Sequence, residues 1–178
     1  DRTVTFGHST LKSVVGIDDS QDKFAINTDA SFETDNDFAI DANGNVTMPN
    51  TCFVSAQLST SQTNIAINTA TDVVFDTEHF DNRNAYNNTT GVFTAPVDGY
   101  YLVMVRLQIE SIDTAATEYN VRVIGGDTTG KPQYMYYQFD PNFSADTSNV
   151  YQWSIGGTSM HYMDANDTIK IQFRQSGG

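Results

Sequence analysis

Three histidines, His8, His79 and His161, are the only imidazoles in the chain, and none stands in a His-x-x-x-His or His-Glu-x-x-His spacing that would close on a metal. A lone histidine in a strand or loop reads as a surface or packed residue. Gly7-His8-Ser9 and Gly157-Thr158-Ser159 set a hydroxyl near glycine. Neither has the Gly-x-Ser-x-Gly spacing of a nucleophile elbow. Asp18-Asp19 and Asp35-Asn36-Asp37 bring carboxylates together in polar segments, where a solvated face is the ordinary outcome. A glycosidase pair needs two carboxylates across a cleft. Gly125-Gly126 and Gly156-Gly157 read as turns and not as phosphate loops. Asp41, Asn43 and Asn45 match the first three ligands of an EF-hand loop, but that loop needs Gly at position six and Glu at twelve. Here Gly44 is fourth and Cys52 twelfth, so a hairpin turn on Asn43-Gly44 is expected instead. The expectation is a protein that binds and does not catalyse.

Any binding residues must then be positioned by strands. Phe, Tyr, Val, Ile and Thr are plentiful, and no segment sustains a 3.6-residue apolar period. Short apolar runs are punctuated by Gly, Asn, Asp and Pro, which predicts an all-β chain. At 178 residues there is room for one domain and a short extra module. Cys52 is the only cysteine, so no intrachain disulfide forms, and its apolar surroundings predict a buried thiol. The formal charge of −13 is spread along the chain without a Lys/Arg cluster. That excludes a nucleic-acid footprint and attraction to anionic membranes. It suits a marine or cation-rich setting, where acidic surfaces are well screened. No apolar run approaches a membrane span. The chain begins with Asp1, so it reads as part of a longer polypeptide, and the lack of a signal peptide says little.

Residues 1–50 form a separate β-rich shaft or neck segment. Phe24-Ala25-Ile26-Asn27 recurs as Phe38-Ala39-Ile40-Asp41, and the same offset aligns Phe32 with Val46. Each unit is a brief strand that cannot bury its apolar side alone. Three chains wrapped on one axis would bury it. Pro49 and Asn50 close the segment. Residues 51–178 then form the head, with strands expected at Cys52–Leu58, Val73–Asp76, on both sides of Pro96–Gly99, and at Thr168–Arg174. In that turn, Pro sets φ and Gly accepts a conformation closed to other residues.

The ordered run Phe75-Asp76, Asn84, Tyr86, Gly91, Phe93, Pro96, Gly99 and Tyr101 resembles the globular head family of complement component 1q, a branch of the tumour-necrosis-factor-like jelly rolls. Cys52-Phe53-Val54-Ser55-Ala56 and the stretch from Gly156-Gly157 to Asp167 extend the resemblance over residues 51–175. It implies a jelly-roll β-sandwich that is trimeric about a threefold axis, with Phe53, Tyr101, Val103, Trp153 and Phe173 as core or axis residues. It also implies one further strand after Thr168–Arg174. The head therefore lacks the family's last strand, or another segment fills an open slot beside Cys52–Leu58. No cofactor is implied. A structural calcium on the axis would be in keeping with the family, with no ligands assigned.

The collagen triplets of vertebrate family members are absent. Instead, Phe38 to Pro49 looks like segments found just before the heads of tailed-phage fibres. Together the two resemblances imply a viral fibre tip, extracellular on the virion. Its partners would be a homotrimer, other fibre or baseplate proteins, and a host surface glycan or protein. Alternating strand directions put the loops Ser59–Asp72, Ser111–Thr117 and Pro141–Asn149 at the distal end, making Asp113, Thr114, Asn142, Phe143 and Ser144 the ligand-binding candidates. Two other readings stand beside this one: a purely structural trimerisation or decoration module, and a secreted binding head of a cellular organism.

Overall fold

The structure is a computed structural model that describes residues 1–7, 12–32, 36–112, 115–126, 134–139 and 152–177. Two compact units divide the chain, Asp1–Phe53 and Val54–Gly178.

The N-terminal unit is an antiparallel meander of five strands: β1 (Arg2–Gly7), β2 (Lys12–Asp18), β3 (Lys23–Asn27), β4 (Phe38–Asp41) and β5 (Val46–Thr47). The repeated tetrapeptides are most of β3 and all of β4. They pair antiparallel, so Ala25 meets Ala39 while Phe24 and Ile26 meet Ile40 and Phe38. Register carries this order across the sheet: Val4, Val15, Ile26 and Phe38 lie in one row, and Ile17, Phe24, Ile40 and Val46 in the next. Side chains alternate between faces with a period of two. One face therefore collects the large apolar residues, and the other carries Val14, Ala25 and Ala39, all buried. Gly16 sits where β1 crosses closest, since a Cβ there would lie 1.9 Å from the Arg2 carbonyl oxygen.

The buried face is sealed by the chain's own polar loop. Asp18, at 1% exposure, accepts hydrogen bonds from the Ser20 amide and hydroxyl and from Asn36 Nδ2. Asn27 Nδ2 donates to the Ser31 carbonyl. At the β4–β5 hairpin, the Asp41 carboxylate accepts from the Asn43 and Asn45 amides and from Asn45 Nδ2, with Gly44 at φ +82°. Among the described residues no group of three His, Cys, Asp or Glu is placed to hold a metal.

The second unit has ten strands: β6 (Val54–Gln57), β7 (Thr71–Asp72), β8 (Thr77–Asp81), β9 (Tyr86–Asn87), β10 (Val92–Thr94), β11 (Gly99–Glu110), β12 (Ala116–Gly126), β13 (Tyr134–Phe139), β14 (Gln152–Met163) and β15 (Thr168–Gly177). One layer is continuous, in the order β13-β12-β15-β10-β9, with β7 also on β15. The remaining strands make two separate pairs, β11 with β14 and β6 with β8. Among the described residues each of these four strands has one paired neighbour only. Val105, Leu107, Ile155 and Met163 pack against Tyr119, Val121, Val123, Ile171 and Phe173 as one core.

Three expectations need correction. Val73–Asp76 is not a strand: only Thr71–Asp72 pairs before it, and Asp76 turns to accept from the Ser59 amide (2.7 Å) and hydroxyl (2.6 Å). Cys52 is half-buried and precedes β6, which begins only at Val54. The turn glycines also differ. Gly91 has φ +71°, and a Cβ there would lie 3.0 Å from the Val73 carbonyl oxygen. By contrast, Gly99 is extended at the start of β11, and a Cβ would meet nothing within 4 Å. Gly91→Ala should therefore cost about 1–2 kcal/mol. Gly99→Ala should be neutral or stabilise by up to about 1 kcal/mol. Urea midpoints of the two variants check this, and equal losses would contradict it.

Candidate binding and assembly surfaces

The ordered motif residues turn out to be pins. The Tyr86 hydroxyl accepts from the Phe75 amide at 3.1 Å, and burial raises its pKa. Asn84 holds the left-handed conformation (φ +50°) in the turn where Asp81 accepts from the Arg83 and Tyr86 amides. Tyr101 donates its hydroxyl to the Val97 carbonyl, and its ring lies edge-on to Phe93 at 5.4 Å. These residues fix loop paths.

The geometry brings Ser159 and His161 together, with Oγ 2.7 Å from Nε2. Sequence spacing did not point to this pair, because only alternation on one strand face makes i and i+2 neighbours. It is not a nucleophilic site. Both residues are buried, and the cavity beside them, about 10 Å³, has room for one water at most. Burial lowers the pKa of His161 from 6.5. The folded imidazole therefore stays neutral where the unfolded one takes up a proton, so stability is complete above pH 6.5 and falls as pH drops below it. Asp18 behaves differently. Its pKa is lowered, chiefly by the Ser20 hydroxyl, so its contribution is lost only as pH falls below 3.8. The head's melting temperature should begin to fall below about pH 6.5, and His161→Gln should flatten that slope. An unchanged slope in the variant would refute the assignment.

β11 is apolar at every position from Tyr100 to Val105, and its two faces diverge. Tyr101, Val103, Val105 and Leu107 point into the sandwich. Tyr100, Leu102 and Met104 point away from it, at 76%, 61% and 74% exposure. Pairing sets Tyr100 opposite Tyr162 and Leu102 opposite Met160. The two tyrosine rings meet edge-on at 5.2 Å. Towards its other end the same face turns polar, through Arg106, Gln108 and Glu110. An open depression of about 500 Å³ lies there between Met104, Arg106 and Ser154. An exposed apolar patch of this kind marks an interaction surface.

The core and axis residues expected from sequence separate in the structure. Phe173 is in the sandwich core, and Tyr101 and Val103 are half-buried against it. Trp153 is 37% exposed and Phe53 56%. Tyr100, Leu102, Met104, Met160 and Tyr162 were not expected as surface residues, though Tyr100 to Val105 carries the signal: an unbroken apolar run implies both faces covered. Asp113, Thr114, Asn142, Phe143 and Ser144 lie outside the described residues. Of the expected distal loops, Ser59–Asp72 is held down on β15 through the Asn68 amide on the Gln175 carbonyl (2.7 Å) and the Gly177 amide on Asn68 Oδ1 (3.2 Å).

The C1q domain matches residues 54–149, more than half of the chain. The chain belongs to the C1q domain family. Among solved structures it is similar to the globular domain of a zebrafish complement 1qA protein, with a TM-score of 0.51 and 17% identity over 69% of this chain and 79% of that one. That likeness establishes a C1q jelly-roll fold. No curated protein matches the chain. C1q domains are typically extracellular, non-enzymatic recognition modules that generally form trimers and bind ligands. Among the described residues no helix is long and apolar enough to cross a membrane.

Proposed function

We propose that this chain is the trimeric binding head of a viral fibre, attaching the virion to a host cell surface through three identical sets of distal loops. The observation that carries the reading is the exposed row of Tyr100, Leu102, Met104, Met160 and Tyr162 on a C1q sandwich. Covered threefold, it fixes three loop sets on one particle. Each weak contact then gains from the others by effective concentration. The strand-built N-terminal unit, in place of collagen triplets, supports a fibre setting. Nothing in the reading requires a cofactor or a catalytic group.

Asp113, Thr114, Asn142, Phe143 and Ser144 are the proposed receptor contacts, in which amides and hydroxyls flank one aromatic ring. Exposed aromatic anchors often dominate recognition. The test is attachment of the purified chain to candidate host cells, with Phe143→Ala as the variant. The expected result is a stable three-chain particle that binds, and a variant with unchanged melting temperature and at least tenfold weaker attachment. A stable trimer that binds no candidate host would indicate a structural module of the virion. Capture of soluble proteins without cell attachment would indicate a secreted head.

A further inference from the structure

The N-terminal sheet has one face that the described residues of its own unit do not cover. Val4 and Phe6 on β1 are 58% and 62% exposed, Phe24 and Ile26 on β3 are each 40% exposed, and Val46 on β5 is 54% exposed. Register puts Val4 and Ile26 in one row and Phe24 and Val46 in the next, so these residues form a continuous field across the sheet. The opposite face is already closed, by the loop that hydrogen-bonds to Asp18 and Asn27. A single layer of sheet must bury its apolar side against another element.

The geometry points to a second and a third copy of this sheet as the occupant: three N-terminal units closing their apolar faces on one another around a common axis, as a triangular prism. Charge placement favours like copies. Lys12, Asp18, Lys23 and Asp41 all fall on the opposite face by alternation, and only Arg2 lies at the margin of the apolar one. Residues 1–50 carry nine acidic against three basic side chains. Copies of such a segment repel one another everywhere except through an uncharged face. Size agrees as well. Five strands at about 4.8 Å and roughly five residues at about 3.3 Å give a face of roughly 400 Å². Three such faces reach roughly 1,200 Å², the lower bound of a standard specific interface. The number three rests on the trimeric reading of the head, which would hold the sheets near one another at roughly millimolar effective concentration. The face itself does not depend on that reading.

The test places photoreactive benzoylphenylalanine at position 24 of the full chain, in a mixture of ¹⁴N- and ¹⁵N-labelled protein. Particle mass is measured by light scattering on the same sample. The expected result is a three-chain mass, with crosslinks from position 24 to residues 1–53 of a differently labelled chain. A three-chain mass with crosslinks only to residues 54–178, or with none, overturns the inference and leaves the trimeric head standing. A two-chain mass with sheet-to-sheet crosslinks upholds the face and refutes threefold assembly. A single-chain mass without interchain crosslinks refutes both. As a second measurement, Phe24→Asp with Ile26→Asp should speed amide exchange in β2 and β3 at least tenfold while the mass stays at three chains. Equal exchange in variant and parent would overturn the inference, since neither side chain is buried within one chain.

Discussion

In a chain whose N-terminal contact is already removed by Phe24→Asp and Ile26→Asp, adding Leu102→Asp and Met104→Asp is expected to turn a three-chain particle into single chains at micromolar concentration. Leu102 and Met104 lie on the outward face of β11, 61% and 74% exposed, beside Met160 and Tyr162 on β14. Because they point away from the core, two aspartates there leave the sandwich of each chain intact. A threefold contact would instead bring six carboxylates into an apolar interface, at several kcal/mol for each ion taken out of water. Attachment should fall with the mass, by roughly 10²–10⁴, because avidity is lost even though each loop set is unaltered. Light scattering and cell binding on the same preparation check the two halves of the argument. A variant that stays trimeric would show that the β11–β14 face is not the contact.

The all-β class and the place of the head were legible because they rest on local signals: β-rich composition, Pro and Gly punctuation, and an ordered run from Phe75 to Tyr101. What escaped were features made by long-range pairing. The repeat at Phe24 and Phe38 was visible, but it says nothing of antiparallel register, which is what stacks Ala25 on Ala39 and gathers the large side chains on the other face. Asp76 reads as the end of a strand until Ser59, seventeen residues away, is seen to donate to it. Gly91 and Gly99 look alike as turn residues, yet only one has a positive φ. On β11 the run from Tyr100 to Leu107 offers apolar side chains to both faces. Sequence cannot say which half faces the sandwich, so Tyr101 and Val103 were expected as core or axis residues with no choice between the two, and they pack against the core.

Phe173 offers the sharpest separation of the two interiors. It is 7% exposed on β15, opposite Val121, with its ring 6.1 Å from that of Tyr119. Its partners all belong to its own chain's core. Phe173→Ala should therefore cost about 3–5 kcal/mol as a core truncation. For a domain of this size that lowers the melting temperature by roughly 10–20 °C, while the particle mass below the transition stays unchanged. Trp153 is the contrasting case. It sits at the edge of β14 and is 37% exposed, so within one chain its removal costs roughly 1 kcal/mol. If Trp153→Ala lowered the melting temperature as much as Phe173→Ala, and did so more at low protein concentration, the ring would be buried by a neighbouring chain. If Phe173→Ala changed the mass without changing the unfolding of the subunit, the division of β11 and β15 into inward and outward faces would be wrong.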